Sequence, residues 1–259
     1  VFITATCSFA GFDDRNQVTA GEEVLLTPDG GGIALFTTVR AVFASSNARL
    51  VQAVFDTMFT KINGGLPTLG QIMQFGKNSS TIGNGANSRK FMLLGDPAMQ
   101  LALPRHNVLT TRINGVDVRT NPADTLRALQ KVTIEGEIRD DNGQLLTNFN
   151  GEVFPTIFDK EVQYTTLSQD PGSPPFDFTL QKNTIFKGRA SVRNGRFQFT
   201  FVVPKDINFT FGKGRISYYA ADKTSRVDAA GHSEDIIIGG TDTNALADDE
   251  GPQVDVFMN

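Results

Sequence analysis

VFITATCSFAGFDD, residues 1–14, decides how the rest of the chain is read. Val1–Thr6 is apolar and β-branched, the composition of a strand buried in a sheet. The run ends at Cys7, the only cysteine in 259 residues. Ser8, Ala10, Gly11 and Asp13-Asp14 open a loop at once. A strand that hands a thiol to a loop is one way to present a nucleophile at the carboxyl edge of a sheet. The plainer reading is a buried cysteine behaving as a small hydrophobe. Composition and periodicity leave both open.

Outward from this stretch, Phe12–Gly21 is polar and reads as loop, and Glu23–Leu26 as a short apolar patch. Pro28-Asp29-Gly30-Gly31-Gly32 is a turn, read as a tight hairpin. Ile33–Val39 is short, continuous and partly β-branched, a buried strand. Ser45, Ser46 and Asn47 are N-cap candidates for a helix. In that helix Leu50, Val51, Val54, Phe55, Met58 and Phe59 share an apolar face. Asn63-Gly64-Gly65 supplies its stop. Thr68–Lys77 reads as a second helix, Asn78–Asn87 as loop, and Phe91–Leu94 as another buried strand ended by Gly95-Asp96-Pro97. This order predicts the last part of an α/β layered domain over residues 1–105.

Past Pro104 no amphipathic helix is legible. Val132, Ile134, Gly136 and Ile138 alternate with polar neighbours, a strand with one buried and one wet face. Asp140–Gly143 is a turn of the kind that joins antiparallel strands. Gly151–Asp159 carries Pro155, which points to an edge strand. Phe197, Phe199 and Phe201 alternate with polar residues, and Ile216, Tyr218 and Ala220 mark a further strand. Asp222–Gly231 reads as loop, and Ile236–Ile238 as a closing strand. The pattern predicts a β-sandwich over residues 106–240. Residues 241–259 read as a Gly- and Asp-rich linker and the start of a further β element, Pro252–Asn259. Because the chain opens and closes inside strand-like runs, it reads as a piece of a longer protein.

Net charge of −4 and a pI near 5.2 argue against nucleic acid as a partner. No apolar run is long enough to span a membrane. One cysteine excludes an internal disulfide without fixing a compartment. Two histidines and one cysteine do not make a structural zinc site. Gly30-Gly31-Gly32 lacks the Gly-Lys-Ser/Thr of a phosphate loop. Asp13-Asp14 with Glu22-Glu23 carries oxygen ligands that suit calcium, but reads better as a solvated acidic loop. No cofactor is expected. A cysteine nucleophile needs a base or a positive field. The only imidazoles, His106 and His232, both fall outside the strand end that bears Cys7.

Phe2–Phe9, the acidic loop after it, Gly31–Phe43 and above all Leu93-Leu94-Gly95-Asp96-Pro97-Ala98 resemble the gingipain-type cysteine peptidases, which have a caspase-like fold. Within that family the resemblance is to the sortase of the type IX secretion system. Thr133–Ile138, Phe149-Asn150-Gly151 and Phe158-Asp159-Lys160 are similar to the domain that follows the peptidase domain there. The resemblance implies a fold of α/β plus all-β class: the C-terminal portion of a caspase-like domain, then an immunoglobulin-like β-sandwich. It implies Cys7 as nucleophile, paired with a histidine of a His-Gly motif that precedes it and lies outside this chain. The oxyanion donors would be the Cys7 backbone N–H and a second N–H near that motif. The chain by itself is then expected to be inactive. The implied partners are C-terminal signal domains of secreted cargo, an outer-membrane β-barrel shuttle protein, and anionic lipopolysaccharide as acceptor, at the cell surface. The alternatives are a general surface cysteine peptidase of the same fold and a non-catalytic binding or adhesion module.

Overall fold

The structure, a computed structural model, describes residues 1–62, 65–79, 85–120, 125–243 and 245. It is mostly β with a few helices. The chain divides into two compact units, Val1–Leu103 and Pro104–Asn259. Residues 63 and 64 of the expected helix stop, and the expected strand Pro252–Asn259, lie outside the described residues.

The first unit runs β1 (Phe2–Ile3), α1 (Ala20–Leu26), β2 (Ala34–Thr38), α2 (Ala44–Met58), α3 (Leu69–Asn78), α4 (Ala86–Arg89) and β3 (Phe91–Gly95). Its sheet has the order β1-β2-β3. β1 is parallel to β2, and β3 is antiparallel to it. β2 is buried along its whole length, Thr37 and Thr38 included. Phe36, Leu50, Val54, Leu69, Ile72 and Phe91 meet in one core with no exposed surface. Each such side chain contributes about 1.5–3 kcal/mol by leaving water.

Five expectations for this unit are corrected. The opening strand is shorter than Val1–Thr6, although Thr4 N–H still donates to Phe36 O at 2.9 Å. The segment read as loop and patch is helix α1, started by a capping box in which Thr19 and Glu22 bond reciprocally. The Pro28–Gly32 turn therefore joins a helix to a strand and is no hairpin. In α2, Leu50, Val54 and Met58 are buried, while Phe55 and Phe59 stand 44% and 58% exposed. A period of 3.6 residues turns them off the core stripe. The helix begins at Ala44 with Phe43 as N-cap, so Ser45, Ser46 and Asn47 lie inside its first turn.

Among its described residues the second unit is all β: β4 (His106–Ile113), β5 (Val116–Asp117), β6 (Thr125–Ala128), β7 (Lys131–Arg139), β8 (Gly151–Phe158), β9 (Val162–Thr165), β10 (Asp177–Leu180), β11 (Thr184–Lys187), β12 (Ala190–Arg193), β13 (Arg196–Val202), β14 (Gly212–Asp222) and β15 (Val227–Thr241). β9 and β10 form a separate ribbon. The other ten strands are joined in one sheet, ordered β5-β4-β7-β13-β12-β8-β14-β15-β6 with β11 on β8. β15 also pairs in parallel with β4, so hydrogen bonding runs around the core from β4 back to β4. A sandwich with two independent sheets is thus not what the pairing shows. The short strand β12 carries the chain of bonds from β13 to β8. The alternation in β7, β13 and β14 points Val132, Ile134, Ile138, Phe197, Phe199, Phe201, Ile216 and Tyr218 into this core.

Pro155 is not on an edge strand: β8 has β14 on one side and β11 and β12 on the other. Pro155 O accepts from Gly188 N–H at 3.1 Å. Its ring nitrogen therefore faces the same side, at the gap where β11 hands over to β12, and no ladder donor is missed. The predicted loop at Asp222–Gly231 is also corrected. β14 and β15 pair as far as Asp222 and Val227, because Asp222 Oδ1 accepts from Thr224 N–H at 2.9 Å and closes a tight turn.

Candidate active site

Parallel strands end at the same edge of their sheet. Cys7 follows β1 and the segment Val39–Phe43 follows β2, so the two lie side by side at the carboxyl edge. A zipper of bonds joins them. Thr4 Oγ1 lies 2.7 Å from Thr37 Oγ1, and Thr38 Oγ1 donates to Thr6 O. Ser8 N–H donates to Arg40 O at 3.3 Å, and Ala10 N–H to Thr38 O at 3.1 Å. Ser8 takes a positive φ of 51°, which turns the chain away immediately after Cys7. Such a conformation costs a non-glycine residue about 1–2 kcal/mol.

The result is an exposed thiol, not the buried small hydrophobe that composition allowed. Val42 presents both of its backbone groups to it. Cys7 Sγ–H donates to Val42 O at 3.4 Å, and Val42 N–H donates to Sγ at 3.5 Å. Beside Ser8 lies a polar depression of about 370 Å³, lined by Gly11, Asp13, Asp14, Gln17, Val39 and Arg40 as well.

The acidic loop is occupied by its own structure. Both Arg40 guanidinium nitrogens donate to the Asp13 carboxylate. That hydrogen bond, more than the accompanying charge, holds Asp13 below the ordinary carboxylate range. Asp14 accepts from Asn16 N–H at 3.0 Å and from the Gln17 amide at 3.2 Å. Glu22 is engaged by the Thr19 N–H and hydroxyl, which lower it too. Among the described residues no group of three or more His, Cys, Asp or Glu is placed to hold a metal ion.

The two histidines are elsewhere. His106 opens β4 and His232 lies in β15, both in the second unit. The unit that bears Cys7 contains no histidine. The Gly-Asp-Pro motif does not sit at the thiol either. Gly95 pairs with Ala34, the opposite end of β2. There Asp96 Oδ1 accepts from Ala98 N–H at 2.8 Å, and Gly70 N–H donates to Pro97 O at 2.9 Å. The motif is a turn that seats α3. Val42, which meets the thiol, and Asn87 and Lys90, which bind its neighbours Phe43 and Ala41, carry no local signal that sequence reasoning could use.

Residues 1–102 match the family model of peptidase family C25. The first unit is similar to the gingipain-type cysteine peptidases. This chain is 29% identical to PorU of Porphyromonas gingivalis in the crystal structure of its dimeric latent form, with a TM-score of 0.53. The match covers 74% of this chain and 18% of PorU, so the chain spans under a fifth of that protein. The complex of the pro- and mature domains of RgpB from the same organism matches at 13% identity and a TM-score of 0.34, over 92% of this chain and 46% of that one. None of the curated proteins compared with it matches. The C25 match covers the unit whose one cysteine stands exposed at the sheet edge.

Proposed function

We propose that this chain is the nucleophile-bearing part of a PorU-like sortase, a cysteine endopeptidase and transpeptidase acting at the cell surface and outer membrane. The observation that carries the reading is the exposed Cys7, held at the carboxyl edge of the sheet inside the C25-like unit. In this mechanism the Cys7 sulfur attacks the scissile carbonyl carbon of a cargo protein next to its C-terminal sorting domain. Collapse of the tetrahedral adduct breaks the C–N bond, and the amine leaves with a proton from the catalytic histidine. The cargo remains as a thioester, which water or a second amine can open. Water gives hydrolysis; an amine on anionic lipopolysaccharide gives surface attachment. The Cys7 backbone N–H supplies one oxyanion donor. The base comes from outside Val1–Leu103, because that unit has no histidine. The second unit, read as immunoglobulin-like, serves as scaffold or docking surface for the signal domain and the outer-membrane β-barrel shuttle protein.

The test is Cys7→Ala in the full-length protein. The expected result is a folded protein that leaves cargo untrimmed. Normal cargo release by that variant overturns the proposal. A peptidase that cuts casein as readily as a cargo signal domain would instead be a general surface peptidase.

A further inference from the structure

Val42 belongs to neither β2, which ends at Thr38, nor α2, which starts at Ala44. Neither element's backbone ladder therefore sets the direction of its peptide groups. Two side chains do so from outside, one on each flank. Asn87 Oδ1 accepts from Phe43 N–H at 2.8 Å. Lys90 Nζ donates to Ala41 O at 2.7 Å. Asn87 lies in α4 and Lys90 directly follows it. Lys90 is itself tied to the sheet, since its carbonyl accepts from Val39 N–H at 2.9 Å. Phe43 is the N-cap of α2 and its own side chain makes no cap bond, so Asn87 takes up one of the backbone N–H groups that the helix start leaves open.

We infer that Asn87 and Lys90 are positioning residues for the nucleophile: Lys90 fixes the Ala41–Val42 peptide, whose N–H donates to the Cys7 sulfur, and Asn87 fixes the Val42–Phe43 peptide, whose carbonyl accepts from it. The inference rests on the reading of Cys7 as nucleophile. Hydrogen bonds to sulfur are weak and long, so a single mobile peptide would hold the thiol poorly. Anchoring Ala41 O and Phe43 N–H fixes the planes of the two peptides on either side of Val42, and an attacking atom gains rate from being held in one orientation. Both contacts are solvent-exposed and lie outside the apolar core formed by Phe36, Leu50 and Phe91. Exposed contacts of this kind add little to folding stability.

The experiment measures the full-length protein and its Asn87→Ala, Asn87→Asp, Lys90→Ala and Lys90→Arg variants. Two readouts are taken: kcat and KM on a cargo substrate, and the rate of Cys7 alkylation by iodoacetamide followed by mass spectrometry. Asn87→Ala and Lys90→Ala are expected to lower kcat about tenfold, the worth of one lost hydrogen bond, with KM nearly unchanged. The alkylation rate should change with them. Asn87→Asp keeps the acceptor for Phe43 N–H and Lys90→Arg keeps the donor for Ala41 O, so both should recover most of kcat. Wild-type kcat and alkylation in both alanine variants, beside an inactive Cys7→Ala, overturn the positioning role alone. An active Cys7→Ala overturns the nucleophile reading beneath it. If an alanine variant fails to fold, the contacts are structural and the inference falls.

Discussion

Gly21→Ala tests whether α1 is packed against the loop that carries the thiol. Gly21 N–H donates to Phe9 O at 2.8 Å, which seats the start of the helix on the segment just after Cys7. A methyl group at Gly21 would stand 2.4 Å from Ala10 Cβ and 3.1 Å from Phe9 O. Two carbon atoms are comfortable at about 3.5–4.0 Å, so helix and loop must part by more than about 1 Å. Ala10 is fully buried and has nowhere to go without moving Cys7. Overpacking of this kind costs about 1–3 kcal/mol. Against it stands the gain of alanine over glycine in a helix, up to about 1 kcal/mol. With the full gain subtracted, the balance is a loss of up to about 2 kcal/mol. Gly30→Ala is the control, because a methyl there meets nothing within 4 Å. The assay is thermal unfolding of both variants beside the parent, with kcat measured in the full-length protein. Gly21→Ala should unfold several degrees lower, and its kcat should fall about a hundredfold if the loop moves by 1 Å. Equal midpoints and equal kcat for Gly21→Ala and Gly30→Ala would refute the packing argument.

Two further outcomes follow from polar groups, one buried and one half-buried. Asn47 is 1% exposed, and neither its amide nitrogen nor its oxygen has a hydrogen-bond partner. Asn47→Leu should therefore raise the stability of the first unit by about 1–3 kcal/mol in urea titration, and a loss would mean the amide is satisfied in solution. In the second unit, burial pushes the Glu137 carboxyl up, but hydrogen bonds and charge from Arg139 and Arg196 outweigh burial and hold it below the ordinary range. Its folded value is the lower one, so its contribution is full above the unfolded value of about 4.3 and is lost as pH falls through the folded one. Glu137→Gln should weaken the protein at neutral pH and flatten the acid limb of its stability curve. An unchanged limb would show that the two arginines do not act on Glu137.

Elements whose signal is local are legible in the residues alone. β2, β7, β13 and β14 were legible because a strand's burial pattern repeats every second residue or runs unbroken. The body of α2 and the turn after Pro28 were legible from spacing and glycine. The capping box Thr19–Glu22 was legible in principle, though short and followed by few apolar residues, and α1 was read as loop. Cys7 stood out by being alone. What tertiary structure decided is everything that depends on which strands are neighbours. Pro155 reads as an edge residue until the sheet places β11 and β12 with a gap opposite its nitrogen. The acidic residues read as a loose cluster until Arg40 reaches Asp13 across the fold. The Gly-Asp-Pro motif carries the resemblance, yet it lies at the far end of β2 from the thiol. Above all, the exposure of Cys7 and its cradle of Val42, Asn87 and Lys90 join residues 35 to 83 positions away in the chain. Periodicity reports how a side chain faces its own element, and only the folded chain sets which backbone groups an exposed sulfur will meet.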